Sequence, residues 1–132
     1  MPSIFTPKDS HEAEANPVCP ISPAVLEIGC YTGYSAMAWH EATGSLQSEI
    51  ITLELDPKMI AASRRTFDKY HLNDRVTLIE GPAGDSIPRL TGQFDLVFVD
   101  ANKDGYQDYV AKILDRKLLS PGGLILCDNS KQ

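Results

Sequence analysis

Two glycines, Gly29 and Gly33, and a recurring set of acids are where this sequence could do chemistry. In VLEIGCYTGYSA, residues Val25 to Ala36, an apolar run ends in Gly29, and Gly33 follows just before a helix-like segment opens. Glycine serves in such a turn because the backbone needs positive φ, or because a side chain would collide with whatever lies alongside. Glu27 stands inside the apolar run. A charge buried there needs a partner, and a ligand with a positive group would supply one. Further acids close later apolar runs: Glu54 in ITLEL, Asp100 in FDLVFVD, and Asp128 with Asn129 beside it in LILCDN. As ends of parallel strands they share one rim with Gly29, the carboxyl edge at which open α/β sheets bind small molecules.

Spacing narrows the ligand. An acid about 20 residues past a glycine turn is where a ribose hydroxyl pair is gripped. Glu54 occupies that place, and its carboxylate can accept both hydrogen bonds of a diol. Asp56 and Asp104 read instead as caps of the helices that follow them. Adenosine is therefore the expected moiety, carried by NAD or by S-adenosylmethionine. The dinucleotide fingerprint G-x-G-x-x-G frees backbone to meet a pyrophosphate, whereas Gly29-Cys-Tyr-Thr-Gly33 lacks the middle glycine. Glu27 also places negative charge near where a phosphate would sit. A cationic sulfonium and an amino group suit this rim better.

The elements that must position these residues alternate between strand and helix patterns. Strands are predicted at Val25–Gly29, Ile50–Leu55, Val76–Glu80, Phe94–Asp100 and Leu124–Asp128. Helices are predicted at Gly33–Thr43, closed by Gly44, and from the Asp56-Pro57 start signal to about Tyr70. A short helical piece is expected over Asp85–Leu90. Tyr106, Tyr109, Val110, Ile113, Leu114 and Leu118 recur at helical spacing, with Pro121-Gly122-Gly123 as the stop. Alternating strands and helices predict an α/β domain, an open, doubly wound (Rossmann-like) parallel sheet of five strands in the order 3-2-1-4-5. Residues 1–24 contain Pro2, Pro7, Pro17, Pro20 and Pro23 and read as an irregular leader; 25–132 is the domain.

The chain has 132 residues, 42% of them hydrophobic and 23% charged, with a net charge of −6. That composition is ordinary for a globular protein and supports one domain. Arg64-Arg65 is the nearest approach to a basic patch, so no nucleic-acid partner is expected. No apolar run is long enough to span a bilayer, and the first residues do not form a secretory signal. Cys19, Cys30 and Cys127 have no disulfide or zinc spacing and suggest free thiols in the cytoplasm. Cys30, Cys127, Met37 and Trp39 read as core, and His11, His40 and His71 have no ligand spacing. Tyr34 and Tyr106 pack either near the ligand or in the core.

Taken together, VLEIGCYTGYSA, ITLELDPKM, EGPAGD, FDLVFVDANKDGY and GGLILCDN resemble, in order, the metal-dependent O-methyltransferases of the catechol and caffeoyl-CoA type. The resemblance covers residues 25 to 129. It implies that Glu27, Gly29, Tyr31 and Ser35 surround the methionine portion of S-adenosylmethionine, that Glu54 takes the ribose, and that Gly81, Pro82 and Ala83 line the adenine side. Asp100, also counted with the cofactor residues and, beside Lys103, with the catalytic ones, would join Asp128 and Asn129 as metal ligands, and Lys103 would be the catalytic lysine. Two carboxylates and an amide oxygen are a hard donor set that suits Mg²⁺. A phenol titrates near a pKa of about 10. A divalent cation favours its ionised form, and Lys103 could take the proton. The implied acceptor is a phenolic, catechol-like small molecule.

Relative to that family the sequence is short at both ends, lacking the helices before the first strand and the closing antiparallel strands. This raises the expectations of a truncated chain, weakly active or inactive, and of association through the open sheet edge, as a homodimer for example. An NAD-dependent oxidoreductase is disfavoured by the glycine spacing and by the lack of a Tyr-x-x-x-Lys or histidine arrangement.

Overall fold

The computed structural model describes residues 23–30, 33–44, 47–100 and 105–128. The predicted leader falls almost wholly outside them. Five strands and four helices alternate: β1 (Ala24–Ile28), α1 (Tyr34–Ala42), β2 (Glu49–Glu54), α2 (Pro57–Lys69), β3 (Val76–Glu80), α3 (Ala83–Ser86), β4 (Phe94–Asp100), α4 (Tyr106–Asp115) and β5 (Leu119–Asp128). A 3-10 turn over Ile87–Arg89 continues α3. The sheet order is β3-β2-β1-β4-β5 with every pairing parallel, as the sequence predicts. The chain winds outward from β1 through β2 to β3, then returns to the other side of β1 with β4. The switch point therefore lies at the carboxyl ends of β1 and β4, where doubly wound sheets open a crevice.

Central position explains the composition of β1. All five of its residues are buried, because helices cover both faces of a parallel sheet. Its side chains alternate between two cores. Ala24, Leu26 and Ile28 join Ile51, Leu53, Val97, Val99 and Ile113 on the side of α3 and α4. Val25 joins Ile50, Ala36, Phe67 and Leu72 on the side of α1 and α2, where Met37 and Trp39 also pack. Glu27 follows Val25 by two positions, so it belongs to the α1 side.

The start of α2 follows its sequence signals. The Asp56 side chain accepts from the Lys58 amide at 2.9 Å and Pro57 occupies the first helical position. Such a cap is worth about 1 kcal/mol.

The last strand differs from its prediction. β5 starts at Leu119, not Leu124, and runs through Pro121-Gly122-Gly123 with a register shift opposite Phe94 and Leu96. Proline is tolerated on an edge strand or at a bulge. A Cβ at Gly123 would lie 2.8 Å from the end of the Leu119 side chain and 3.1 Å from the Asp95 carbonyl, so glycine relieves crowding where the bulged strand meets its neighbour. Leu118, counted above on the helix face, lies beyond the end of α4 and is buried, its amide donating to the Ile113 carbonyl at 3.0 Å. Among the described residues β5 pairs only with β4, and Leu124 and Leu126 are exposed. No described helix is long and apolar enough to cross a membrane.

Candidate ligand site at the carboxyl ends of the strands

The turn after β1 depends on both its glycines. Gly29 has φ 98° and Gly33 φ 94°, values that side chains rarely adopt. The Gly29 amide donates to the Leu53 carbonyl at 2.9 Å, holding the turn over the end of β2. Gly33 has a second constraint. A Cβ there would meet Phe67 at 3.1 Å, the Ser63 Cα at 3.2 Å and Thr66 at 3.3 Å. The second glycine thus permits close packing of the turn on α2.

Glu27 is 0% exposed, and the partner expected from a ligand is supplied by the protein. Ser35 on the first turn of α1 donates its hydroxyl to Oε2, and Thr52 on β2 donates to Oε1 at 2.7 Å. No described lysine, arginine or histidine is paired with it. Burial pushes its pKa up to about 7; the two hydroxyls and nearby Trp39 act in the opposite direction, and Glu54 adds repulsion. Trp39 Nε1 is buried beside this cluster, on the Glu27 side of α1. Sequence reasoning missed Thr52 and Trp39. Thr52 carries a usable signal, a polar residue inside IITLE that stands in register with Glu27. Trp39 lies one helical turn beyond Ser35, on the same face.

Glu54, at the end of β2, is 5% exposed. Its Oε2 accepts from the amides of Leu55 at 3.2 Å and Asp56 at 3.1 Å. The Gly81 amide donates to the Glu54 carbonyl at 2.9 Å, which brings the start of Gly81-Pro82-Ala83 to the same rim. Leu55, Pro57, Ile60, Ala61, Arg64, Glu80 and Gly81 line an open groove of about 490 Å³ beside Glu54. An Arg64–Glu80 ion pair of 2.9 Å spans its wall. Leu55 in this groove is 59% exposed.

Asp100 ends β4 and is 3% exposed. It follows Val99, the register partner of Ile28, and so lies next to the Gly29 turn. Asp128 stands in register with Asp100 on the adjacent strand. Tyr31, Lys103 and Asn129, together with the Asp128 side chain, lie outside the described residues. Among the described residues no three His, Cys, Asp or Glu side chains are grouped closely enough to hold a metal ion. Register brings two of the three proposed metal residues together; the structure describes no more of that set.

The remaining polar residues resolve simply. Cys30 is a buried core residue whose thiol donates to Ser63 Oγ at 3.3 Å; burial pushes its pKa up to about 11 against the opposing effect of Ser63. Cys127 is only half-buried and its thiol donates to the Tyr106 hydroxyl at 2.8 Å; Tyr106 is partly buried against the edge of the core, while Tyr34 is exposed. His40 pairs with Asp74 at 3.0 Å.

This architecture defines an α/β domain of the doubly wound class, with buried acids gathered around a glycine turn at its switch point. A family model described as O-methyltransferase matches residues 21–131, and the chain belongs to that family. It is 45% identical over 107 residues to the O-methyltransferase ankF of Aspergillus thermomutatus, covering 80% of this chain and 45% of the relative. It is 37% identical over 109 residues to the catechol O-methyltransferase of Niastella koreensis, covering 80% and 48%. The crystal structure of the SAH-bound Podospora anserina methyltransferase PaMTH1 superposes with a TM-score of 0.78 at 63% identity, over 80% of this chain and 45% of that one. The chain thus spans about half the length of the relatives it matches.

Proposed function

We propose that this chain forms the cofactor-binding region of an S-adenosylmethionine-dependent O-methyltransferase acting on a phenolic hydroxyl of a catechol-like small molecule. The observation that carries this is the set of three buried acids, Glu27, Glu54 and Asp100, at the carboxyl ends of three adjacent strands around Gly29. Such a rim repels a pyrophosphate and favours a ligand that brings cationic groups and hydroxyl donors. Family membership and the SAH-bound relative support the same ligand class; SAH denotes S-adenosylhomocysteine, the product left after methyl transfer. The catechol O-methyltransferase of Niastella koreensis supports the acceptor class.

Within that reading the residues divide the work. Gly29 and Gly33 bring backbone against the methionine portion, with Tyr31 and Ser35 beside it. Glu54 accepts the ribose hydroxyls, and Gly81, Pro82 and Ala83 flank the adenine. Asp100 and Asp128, in register, with Asn129 next in sequence, would hold a divalent cation, and their oxygen-only chemistry fits Mg²⁺. When bound, that ion would supply Lewis acidity that favours the ionised phenol. Lys103, three residues past Asp100, would receive the phenolic proton at Nζ. S-adenosylmethionine held on this rim would supply the methyl group, and its alignment with the acceptor oxygen would supply much of the acceleration.

The test is a methyl-transfer assay on catechol and caffeate with Mg²⁺, run beside Lys103→Met. Turnover abolished by that substitution is the expected result. A native chain that binds S-adenosylmethionine but transfers nothing to any vicinal diphenol would contradict the catalytic part of the proposal.

A further inference from the structure

The groove beside Glu54 has an uneven lining. Leu55, Pro57, Ile60 and Ala61 give it apolar surface, and Gly81 gives it bare backbone. Among the lining residues only Arg64, on α2, and Glu80, the last residue of β3, carry polar side chains. Backbone donors are scarce on the Glu80 side. The Gly81 amide is spent on the Glu54 carbonyl at 2.9 Å, and Pro82 has no N–H to give. Such a groove suits a flat group with apolar faces and a polar edge, and the edge must be met by Arg64 and Glu80. Arg64 Nη2 donates to Glu80 Oε2 at 2.9 Å. That bond leaves the carboxylate a second oxygen and the guanidinium further N–H donors. Side by side the pair presents an acceptor and a donor. Adenine is the complement, because its exocyclic amine donates next to a ring nitrogen that accepts.

We propose that Glu80 and Arg64 are specificity-determining residues that read the edge of the cofactor's base, Glu80 accepting from the adenine amine and Arg64 donating to the neighbouring ring nitrogen. The inference rests on the cofactor assignment made above, which puts the ribose at Glu54. Leu55 directly follows Glu54, and Gly81 directly follows Glu80. A base joined to a ribose at Glu54 therefore enters the groove between them. The ion pair holds both side chains in place before the base arrives, which reduces the entropy lost on binding. Its value lies in discrimination. An exposed ion pair adds little to the stability of the fold. A base with a carbonyl in place of the amine, however, sets oxygen against the Glu80 carboxylate and makes no bond there.

The test is calorimetric titration of the full chain with S-adenosylhomocysteine and with S-inosylhomocysteine, whose base carries that carbonyl. The wild type should bind the adenosyl compound roughly ten- to a hundredfold more tightly. Glu80→Ala should bring the ratio close to one, mainly by weakening S-adenosylhomocysteine. Glu80→Gln, whose amide can turn an N–H toward the carbonyl, should strengthen S-inosylhomocysteine relative to the wild type. Arg64→Ala should weaken S-adenosylhomocysteine and lower the ratio by a smaller factor. Both side chains are exposed, so thermal melts of the variants should stay close to the wild type. A wild type that binds S-adenosylhomocysteine but does not discriminate between the two would overturn the proposal and leave the cofactor assignment standing. So would a preference that survives Glu80→Ala. If the wild-type chain binds neither compound, the cofactor assignment itself fails, and the inference with it.

Discussion

Thr52 stands in register with Glu27 across β1 and β2 and donates its hydroxyl to the buried carboxylate at 2.7 Å. This pair, with Ser35 on the third side, keeps an acid in a layer otherwise built from Val25, Ile50, Ala36 and Phe67. The arrangement has a thermodynamic consequence. Glu27 is raised from 4.5 to about 7 in the folded chain, chiefly by burial. A carboxyl shifted upward stabilises the fold most below its unfolded pKa, and that contribution is lost as pH rises through the folded value.

The shift corresponds to roughly 3 kcal/mol at ~1.4 kcal/mol per unit. The ligand-free wild type should therefore lose stability relative to Glu27→Gln between about pH 4.5 and 8, by up to about that amount. Urea unfolding of both proteins at several pH values measures it. A difference between them that does not vary with pH would mean that Glu27 is not titrating in this window.

Gly33→Ala should be strongly destabilising for two reasons that act together. The position has φ 94°, and the added methyl would press on Ser63 and Phe67 of α2. Non-glycine residues at such angles cost about 1–3 kcal/mol before any clash. A lowered urea midpoint with an unchanged slope is expected. A variant as stable as the wild type would show that the turn can move away from α2.

Asp100→Asn should weaken binding of Mg²⁺, or of Mn²⁺ as a spectroscopic probe, roughly tenfold or more, because one charge of a hard oxygen set is lost. Electron paramagnetic resonance titration with Mn²⁺ reads this without any turnover. Unchanged metal binding in a folded Asp100→Asn variant would remove Asp100 from the metal assignment.

Most of the fold was legible because apolar runs ended by glycine or acid mark strands buried on both faces. Val76–Glu80 and Phe94–Asp100 match to the residue. The start of β5 was not legible: Pro121-Gly122-Gly123 reads as a stop, and the bulge against β4, with no second neighbour among the described residues, lets a strand pass through it. Leu118 fitted the helical period by coincidence of spacing, since burial at a helix–strand junction also selects an apolar residue. At the site, Glu27 and Glu54 could be named from type and spacing, and both prove to be buried at the rim. The partners of Glu27 could not. Ser35 and Thr52 reach it through strand register and the packing of α1, long-range facts that no local motif records.

The central claim is that the rim around Gly29, Glu27 and Glu54 selects S-adenosylmethionine over a dinucleotide. Calorimetric titration of the chain with S-adenosylmethionine and NAD, on wild type and Glu54→Ala, tests it most directly. The account predicts tighter binding of S-adenosylmethionine, weakened by about 1–3 kcal/mol in the Glu54→Ala variant as the ribose hydroxyls lose their acceptor. Tighter binding of NAD, or an S-adenosylmethionine affinity indifferent to Glu54, would contradict it.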